Sequence, residues 1–429
     1  MPGVVLIDGI RTPFLKFNTE FKEMRAVDLA ALVIRELVEQ LELDPAAVDH
    51  VIMGNGAQPA DAPNVARYAA LKARLPVGVP AYTVQRNCAG GMQSITEAAM
   101  LIQLGHAEIA LAGGTESMSN IPLMYPKSFQ NKMTALSRAK TPLDKLQVVT
   151  SFRPQDFKPV VGLIMGLTDC YCGMGMGQTA EILAKKYKIS REAQDEFALG
   201  SHFKTAAAWD AGRLAGEVMT VYPPGRKPVV VSQDNGYRSN QNMEALSRLR
   251  PVFDRKFGTV TAGNASQITD GASVLAVMAE KKAKALGYAP KVFIKSWAYA
   301  GNEPTEMGLG PYFATAKALD RAGLKLKDMG LIELNEAFAT QVLANEVVFS
   351  SKQFAQEHLG RQEPLGEINR DILNVNGGAI ALGHPIGTSG NRIVLTLMRE
   401  MERRDVQFGL ATLCVGGGQG GAIILERAR

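Results

Sequence analysis

Short apolar runs bounded by glycine alternate along this chain with longer stretches in which apolar residues recur every three or four positions. Residues 4–7, 51–53 and 109–113 are of the first kind and predict buried strands. Residues 27–41 and 92–104 are of the second kind and predict amphipathic helices. Strand and helix in alternation, with strands apolar on both faces, is the pattern of an α/β protein. The end of the chain repeats the pattern, with a helix over 391–403, a buried strand over 408–414 and another over 422–425.

Glycines at the helix starts turn this into an internal repeat. Cys88 with Gly90-Gly91 opens a helix that leads to strand 109–112 and then to Gly113-Gly114. His384 with Gly387 and Gly390 opens a helix that leads to strand 408–413 and then to Gly416–Gly418. Two similar α/β halves, each presenting a loop and a helix N-terminus to one cleft, account for it. Two stretches stand outside the repeat, about 120–249 and 350–369. Within 121–168 lie Lys127, Lys132, Arg138, Lys140, Lys145, Arg153 and Lys158 against only Asp144 and Asp156. That excess suits phosphate groups, and equally a solvated loop with incidental charge.

Composition narrows the class. A chain of 429 residues that is 46% hydrophobic has ample material for a core of two domain-sized units. The net charge of +5 is mild and spread out, which suits an anionic small molecule but is no nucleic-acid footprint. No stretch approaches the roughly 18 apolar residues of a membrane span. Four cysteines at irregular spacing make no disulfide framework, so a reducing compartment is expected. The start runs almost directly into a strand, so no signal peptide is expected. The location expected is the cytoplasm, or an organelle matrix if a presequence has been removed.

The chemistry concentrates in three glycine-rich stretches: Arg86-Asn87-Cys88-Ala89-Gly90-Gly91, Gly383-His384-Pro385-Ile386-Gly387 and Cys414-Val415-Gly416-Gly417-Gly418. A lone cysteine is more often a small buried hydrophobe than a nucleophile. Cys88, however, stands at a helix start, where free N–H groups are expected to lower a thiol pKa and to bind an oxyanion. His384 could be a turn histidine, yet the glycines around it leave the imidazole open to a ligand. Cys414 follows an apolar strand and precedes bare glycines that a core cysteine would not need. A nucleophilic thiol, an imidazole and a second thiol together point to a covalent thioester and the handling of a carbanion. Asn335, directly after strand 331–334, could orient a water in the cleft, or could merely cap the next helix. Cys170 and Cys172 lack the partners of a zinc site, so no metal is expected.

With these residues assembled, the chain closely resembles the thiolases, the acyl-CoA acetyltransferases of fatty-acid and ketone metabolism. The resemblance runs through Asp8-Gly9-Ile10-Arg11-Thr12-Pro13-Phe14, Asn87-Cys88-Ala89-Gly90-Gly91, Gly113-Gly114-Thr115-Glu116-Ser117-Met118-Ser119 and Met176-Gly177-Gln178-Thr179-Ala180-Glu181. It continues through Leu249-Arg250-Pro251, Gly263-Asn264-Ala265-Ser266, Asn335-Glu336-Ala337-Phe338, Asn376-Gly377-Gly378-Ala379 and the His384 and Cys414 stretches. It implies an α/β, five-layered fold of two similar halves, 1–280 and 281–429, with a loop domain inserted at about 120–249. By this resemblance Cys88 is the acyl-accepting nucleophile, His384 its activating base and Cys414 the acid and base at the α-carbon. Asn335 holds a water that, with His384, polarises the thioester oxygen, and the N–H groups of Cys88 and Gly416 form a second oxyanion hole. Ser266 lies near the pantetheine and Arg238 near the nucleotide end of coenzyme A. CoA and acyl-CoA are then substrates, with no further cofactor. The resemblance also implies a homodimer or homotetramer, and a hydratase/dehydrogenase subunit of β-oxidation as a partner.

Departures bear on which thiolase activity is meant. Gly175 stands where biosynthetic acetoacetyl-CoA thiolases commonly have histidine before Met-Gly. The excursion containing Phe354 and Leu359-Gly360-Arg361 is similar to thiolase subunits of trifunctional complexes, yet those usually carry histidine at Asn335. Met307 matches a methionine that lines a short-acyl pocket. The expected reaction is CoA-dependent cleavage of 3-oxoacyl-CoA and its reverse, with chain length open. The alternatives are an acetoacetyl-CoA-specific biosynthetic thiolase, a decarboxylating ketosynthase and a non-catalytic acyl-CoA or lipid carrier.

Overall fold

In the computed structural model, which describes residues 3–428, ten strands form one continuous sheet. Its first part holds Ala81–Val84, His50–Gly54, Ile109–Glu116, Thr269–Ala279 and Val4–Arg11 in that order, with Leu15–Lys16 beside Thr269–Ala279. Its second part runs Val292–Gly301, Gln419–Arg427, Phe408–Val415 and Leu331–Leu334. The parts join only through Val5 and Leu6, which pair with Phe293 and Val292.

Apolar burial defines five layers. One outer core packs helices Ala26–Gln40 and Val65–Lys72 on the first part of the sheet, through residues such as Leu29, Ile34, Leu37 and Ala69. The other packs Gly310–Ala322 and Ala339–Ser350 on the second part, through Tyr312, Leu319, Val342 and Phe349. Between the two parts of the sheet lie helices Gly90–Gln103 and Ile386–Arg404, whose Ile95, Ala98, Ile393 and Leu397 share a core with strands of both. Both central helices are buried on nearly every side.

The second central helix starts at Ile386, five residues before the amphipathic pattern begins. Its first turn carries glycines because the two central helices cross at backbone contact. A Cβ on Gly390 would sit 2.8 Å from the Met92 nitrogen, and one on Gly91 would sit 2.8 Å from the Asn391 nitrogen. A pattern read from apolar side chains misses a helical turn whose contacts are backbone on backbone.

The insertion divides in two. Helices Met176–Lys186 and Arg191–Asp210 pack on the second half, where Leu183 enters the outer core and Ala198 meets Ala339 and Ile380. Helices Lys127–Arg138 and Pro142–Thr150 bury no residue. The excursion over 350–369 contributes helix Lys352–Leu359, seated on Tyr312 by Phe354 with ring centroids 5.0 Å apart. No helix among the described residues is long and apolar enough to cross a membrane.

Arg11 pins the insertion to the sheet. Its guanidinium is fully buried and donates to Glu217 at 2.7 Å and to both oxygens of Asp234 at 2.7 and 2.9 Å. Burial pulls its pKa down, but the two carboxylates outweigh that and hold it above the ordinary guanidinium value.

Candidate active site

Cys88 sits in a single 3-10 turn, Asn87–Ala89, that leads into the first central helix. Asn87 takes φ 42°, a left-handed conformation that asparagine tolerates better than most residues. Its amide donates to the Gly416 carbonyl at 2.9 Å, which ties the Cys88 turn to the loop after Cys414. The N–H groups of Gly416 and of Cys88 itself face the half-buried Cys88 thiol closely enough to pull its pKa down. The expectation of a lowered thiol pKa is corrected here. Burial pushes it up to about 11, the two N–H groups pull it only partly back, and buried Glu116 adds to the rise. The resting nucleophile is a thiol that needs a base.

His384 is buried, and its backbone N–H donates to the Gln267 carbonyl at 3.0 Å. Its Nδ1 lies 2.6 Å from the Ser389 hydroxyl. Burial, and then the charge of Arg392, lower its pKa to about 4, so the imidazole is neutral at physiological pH and can accept a proton. Arg392 is itself buried, paired with Glu333 at 3.1 Å. Cys414 is buried near the end of strand Phe408–Val415, where desolvation, then Cys88, raise its thiol pKa and keep it protonated.

Asn335 follows strand Leu331–Leu334 and donates its backbone N–H to the Thr412 carbonyl at 3.0 Å, beside the Cys414 strand. It caps no helix, since the cap of Ala339–Ser350 is Phe338. Its side chain is fully buried, and neither its amide oxygen nor its nitrogen has a hydrogen-bond partner within the protein. A buried amide left so costs about 1–3 kcal/mol, and Asn335 lines neither of the cavities over Cys88.

Two cavities meet over Cys88. The larger, about 770 Å³, brings together Cys88, His384, Cys414, Gly416 and Ser266. The smaller, about 580 Å³, shares Cys88, Met118, Leu167, Thr168, Met176, Ile386 and Gly416 with it but not His384, Cys414 or Ser266. Ser266 is held by a hydrogen bond from its N–H to the Ala337 carbonyl at 2.9 Å, which sets it beside the segment that starts at Asn335. Met307 lines the larger cavity, Cys170 the smaller, and Cys172 neither. Among the described residues no cluster of His, Cys, Asp and Glu could hold a metal ion.

Arg238 lines neither cavity. It is exposed; burial, and then the charge of Arg238, lower the pKa of Lys16. Lys16 is next to Phe17, whose N–H donates to the carbonyl of Ile268 on the rim of the larger cavity at 2.9 Å. The cations between Lys127 and Lys158, the phosphate candidates of the sequence, line neither cavity. One of them, Lys132, is already engaged by Asp156 at 2.5 Å.

Three contributors carry no signal of their own in the sequence. Lys16 is one and Ser389 another. The third is Glu116, whose carboxylate accepts from the N–H groups of Gly56, Ala57 and Gly387 at 2.8, 3.0 and 2.8 Å. It fastens the cavity wall to the helix after His384.

A half-buried thiol, a neutral imidazole and a second buried thiol in one cavity are the groups that an acyltransferase working through a thioester uses. The chain belongs to the thiolase family: models of the thiolase N-terminal and C-terminal domains match residues 4–281 and 288–427. It is 41% identical over 426 residues to a 3-ketoacyl-CoA thiolase of Pseudoalteromonas translucida, covering 99% of this chain and 97% of that protein. A 3-ketoacyl-CoA thiolase of Shewanella frigidimarina is 42% identical over 424 residues, covering 99% and 96%. Among solved structures it is similar to the acetyl-CoA acetyltransferase of Bacillus anthracis, with TM-score 0.88, 38% identity and coverage of 100% and 99%. It is also similar to human mitochondrial 3-ketoacyl-CoA thiolase in complex with CoA, with TM-score 0.85, 36% identity and coverage of 100% and 98%.

Proposed function

We propose that this protein cleaves 3-oxoacyl-CoA with CoA into acetyl-CoA and an acyl-CoA two carbons shorter, and runs the reverse Claisen condensation, through an acyl group on Cys88. The observation that carries the reading is the convergence of Cys88, His384 and Cys414 on one cavity, with the Gly416 and Cys88 N–H groups on the nucleophile. In cleavage His384 takes the Cys88 proton as Sγ bonds to the 3-keto carbon. The C2–C3 bond then breaks and its electron pair passes to acetyl-CoA enolate. His384 and a water on Asn335 stabilise the enolate oxygen, and the Cys414 thiol delivers a proton to C2.

CoA completes the cycle. Its thiol loses a proton to the Cys414 thiolate and attacks the acyl carbonyl, whose oxygen turns to the N–H groups of Cys88 and Gly416. The Cys88 sulfur leaves and recovers its proton from His384. Every proton and electron pair is accounted for by thiols, imidazole and thioester, so the steps call for no metal or redox cofactor.

The similar human enzyme with CoA bound supports CoA as a substrate here. The reading also takes in Ser266 at the pantetheine, Arg238 at the nucleotide, halves divided at 280/281, a homodimer or homotetramer, a cytoplasmic setting and a hydratase/dehydrogenase partner. The decisive experiment is mass spectrometry after brief exposure to acetyl-CoA. An acetyl adduct on Cys88, absent from Cys88→Ser, is expected; an adduct confined to Cys170 or Cys172 overturns the assignment.

A further inference from the structure

The two N–H groups that receive the oxygen of acyl-Cys88 come from different halves of the chain. One belongs to Cys88, in the turn that opens the first central helix. The other belongs to Gly416, in the loop between strands Phe408–Val415 and Gln419–Arg427. Such donors work only when they stand about 2.7–3.1 Å from the place the oxyanion will occupy, so the loop must be fixed against the turn. The loop is poorly equipped to fix itself. Gly416-Gly417-Gly418 offers no side chain, Gly417 and Gly418 take φ 89° and 74°, and a Cβ on Gly417 would meet no atom within 4 Å. Its own half holds it at one point, where the Gly418 carbonyl accepts from the Asn302 N–H at 2.8 Å.

The first half supplies the rest. Asn87 holds the Gly416 carbonyl, and beside it Arg86 donates from Nη1 to Gln419 Oε1 at 2.8 Å, across 333 positions of sequence. Gln419 pairs with Val415, so Arg86 grips the loop at the residue pair that closes it. Arg86 is itself held in place. Its Nε donates to Gln93 Oε1 at 2.7 Å, Gln93 Nε2 donates to Glu97 at 2.7 Å, and the guanidinium lies over the Tyr299 ring, 4.2 Å from its centroid. A carboxylate accepts and a guanidinium donates, so the two charged groups orient the Gln93 amide between them, and Arg86 orients that of Gln419. The row Glu97–Gln93–Arg86–Gln419 therefore ties the first central helix to the far hairpin in one geometry. Arg86 lines neither cavity. Resting on the thiolase reading, we infer that Arg86 is a positioning residue that, through Gln419, holds the Gly416 N–H where the oxygen of acyl-Cys88 turns during transfer to and from CoA.

Two exchange reactions test this. Exchange of labelled CoA into acetyl-CoA reads acyl transfer at Cys88, which uses this pair of N–H groups. Uptake of deuterium into the acetyl-CoA methyl group reads the chemistry at C2. That chemistry uses His384, Asn335 and Cys414, and the backbone anchors of the first two, Gln267 and Thr412, lie outside the row. Arg86→Met and Gln419→Met should each lower kcat for CoA exchange at least about tenfold, part of the roughly 10²–10³-fold that one oxyanion donor supplies. KM and deuterium uptake should stay within about twofold of wild type. The double variant should be no slower than the slower single one, because the two residues act as a unit. Gln419→Glu, which keeps an acceptor for Arg86, should regain most of the loss. Unchanged CoA exchange in the single variants, equal losses in both reactions as general loosening would give, losses that multiply in the double variant, or Gln419→Glu as slow as Gln419→Met would each overturn the inference. Failure of wild type to exchange CoA or to acetylate Cys88 would instead sink the thiolase reading beneath it.

Discussion

His384 Nδ1 and the Ser389 hydroxyl, one turn along the helix that follows, lie 2.6 Å apart, and the same hydroxyl donates to the Pro385 carbonyl at 3.2 Å. A hydroxyl has one proton. With that proton on Pro385, the serine oxygen accepts from Nδ1–H and the lone pair of the ring is left on Nε2, free for the cavity. Ser389 is thus a positioning residue that selects the basic tautomer. For Ser389→Ala we expect kcat to fall roughly tenfold, part of the roughly 10²–10⁴-fold that general-base catalysis supplies. KM should change little, and Ser389→Thr should restore most of the loss. A change in KM alone would remove Ser389 from this role.

Burial sets the pH response. With His384 held near 4 and the Cys88 thiol near 11, the pair rests neutral across the physiological range. Acid protonates His384 and removes the base, so kcat/KM falls on the acid side only as pH approaches about 4. No inflection is expected near 6.5, the ordinary imidazole value. Rates of Cys88 acylation between pH 4 and 9 check this, and a clear inflection at 6–7 would contradict it.

The two thiols separate by role. In the proposed mechanism Cys414 acts at C2, not at the carbonyl that Cys88 attacks, so Cys414→Ala should still accept an acetyl group on Cys88. Exchange of the acetyl-CoA methyl protons with deuterated water should fall by at least roughly a hundredfold, the scale of a lost acid–base group. Normal exchange in this variant would refute the role given to Cys414.

That Cys88, His384 and Cys414 belong to one site is legible in the sequence because each stands beside glycines that leave bare backbone around it. What brings them together is not local. Glu116 and Gly387 are 271 residues apart, and no periodicity joins them. Lys16 has no glycine beside it, and Ser389, although Gly390 follows it, lies before the helix that the apolar pattern predicts over 391–403. The cationic stretch is the opposite case: its charge is local and plain, but none of its Lys and Arg side chains lines either cavity. The raised thiol pKa was hidden too, because desolvation depends on how much protein surrounds the sulfur, while the helix-start N–H groups can be counted along the chain.

Removing Arg11 should expose the cost of its burial. Arg11→Met would leave Glu217 and Asp234 facing each other in the interior, where breaking a buried pair costs about 3–5 kcal/mol. A correspondingly lower midpoint in urea unfolding is expected. Glu217→Gln and Asp234→Asn, combined with Arg11→Met, should recover part of the loss, since no unpaired charge then remains. A single variant as stable as wild type would show the network to be dispensable.

Lys16 and Arg238 present two positive charges to each other beside the rim of the larger cavity. Like charges so placed cost stability unless an anion shares them, and CoA brings a pyrophosphate and a 3′-phosphate. Each of Lys16→Ala and Arg238→Ala should raise KM for CoA about fivefold, the ~1 kcal/mol of a solvent-exposed charge pair. The effect should shrink as salt rises, since exposed charges are screened beyond about 8 Å at physiological ionic strength. It should also shrink with 3′-dephospho-CoA if the 3′-phosphate is the group held. kcat should hold, because a contact remote from the reacting carbon is felt equally in ground and transition states. Lys140→Ala and Lys145→Ala, whose side chains line neither cavity, should leave KM alone. A rise in KM from the excursion variants, with none from Lys16 or Arg238, would return the phosphate contacts to the stretch the sequence first suggested.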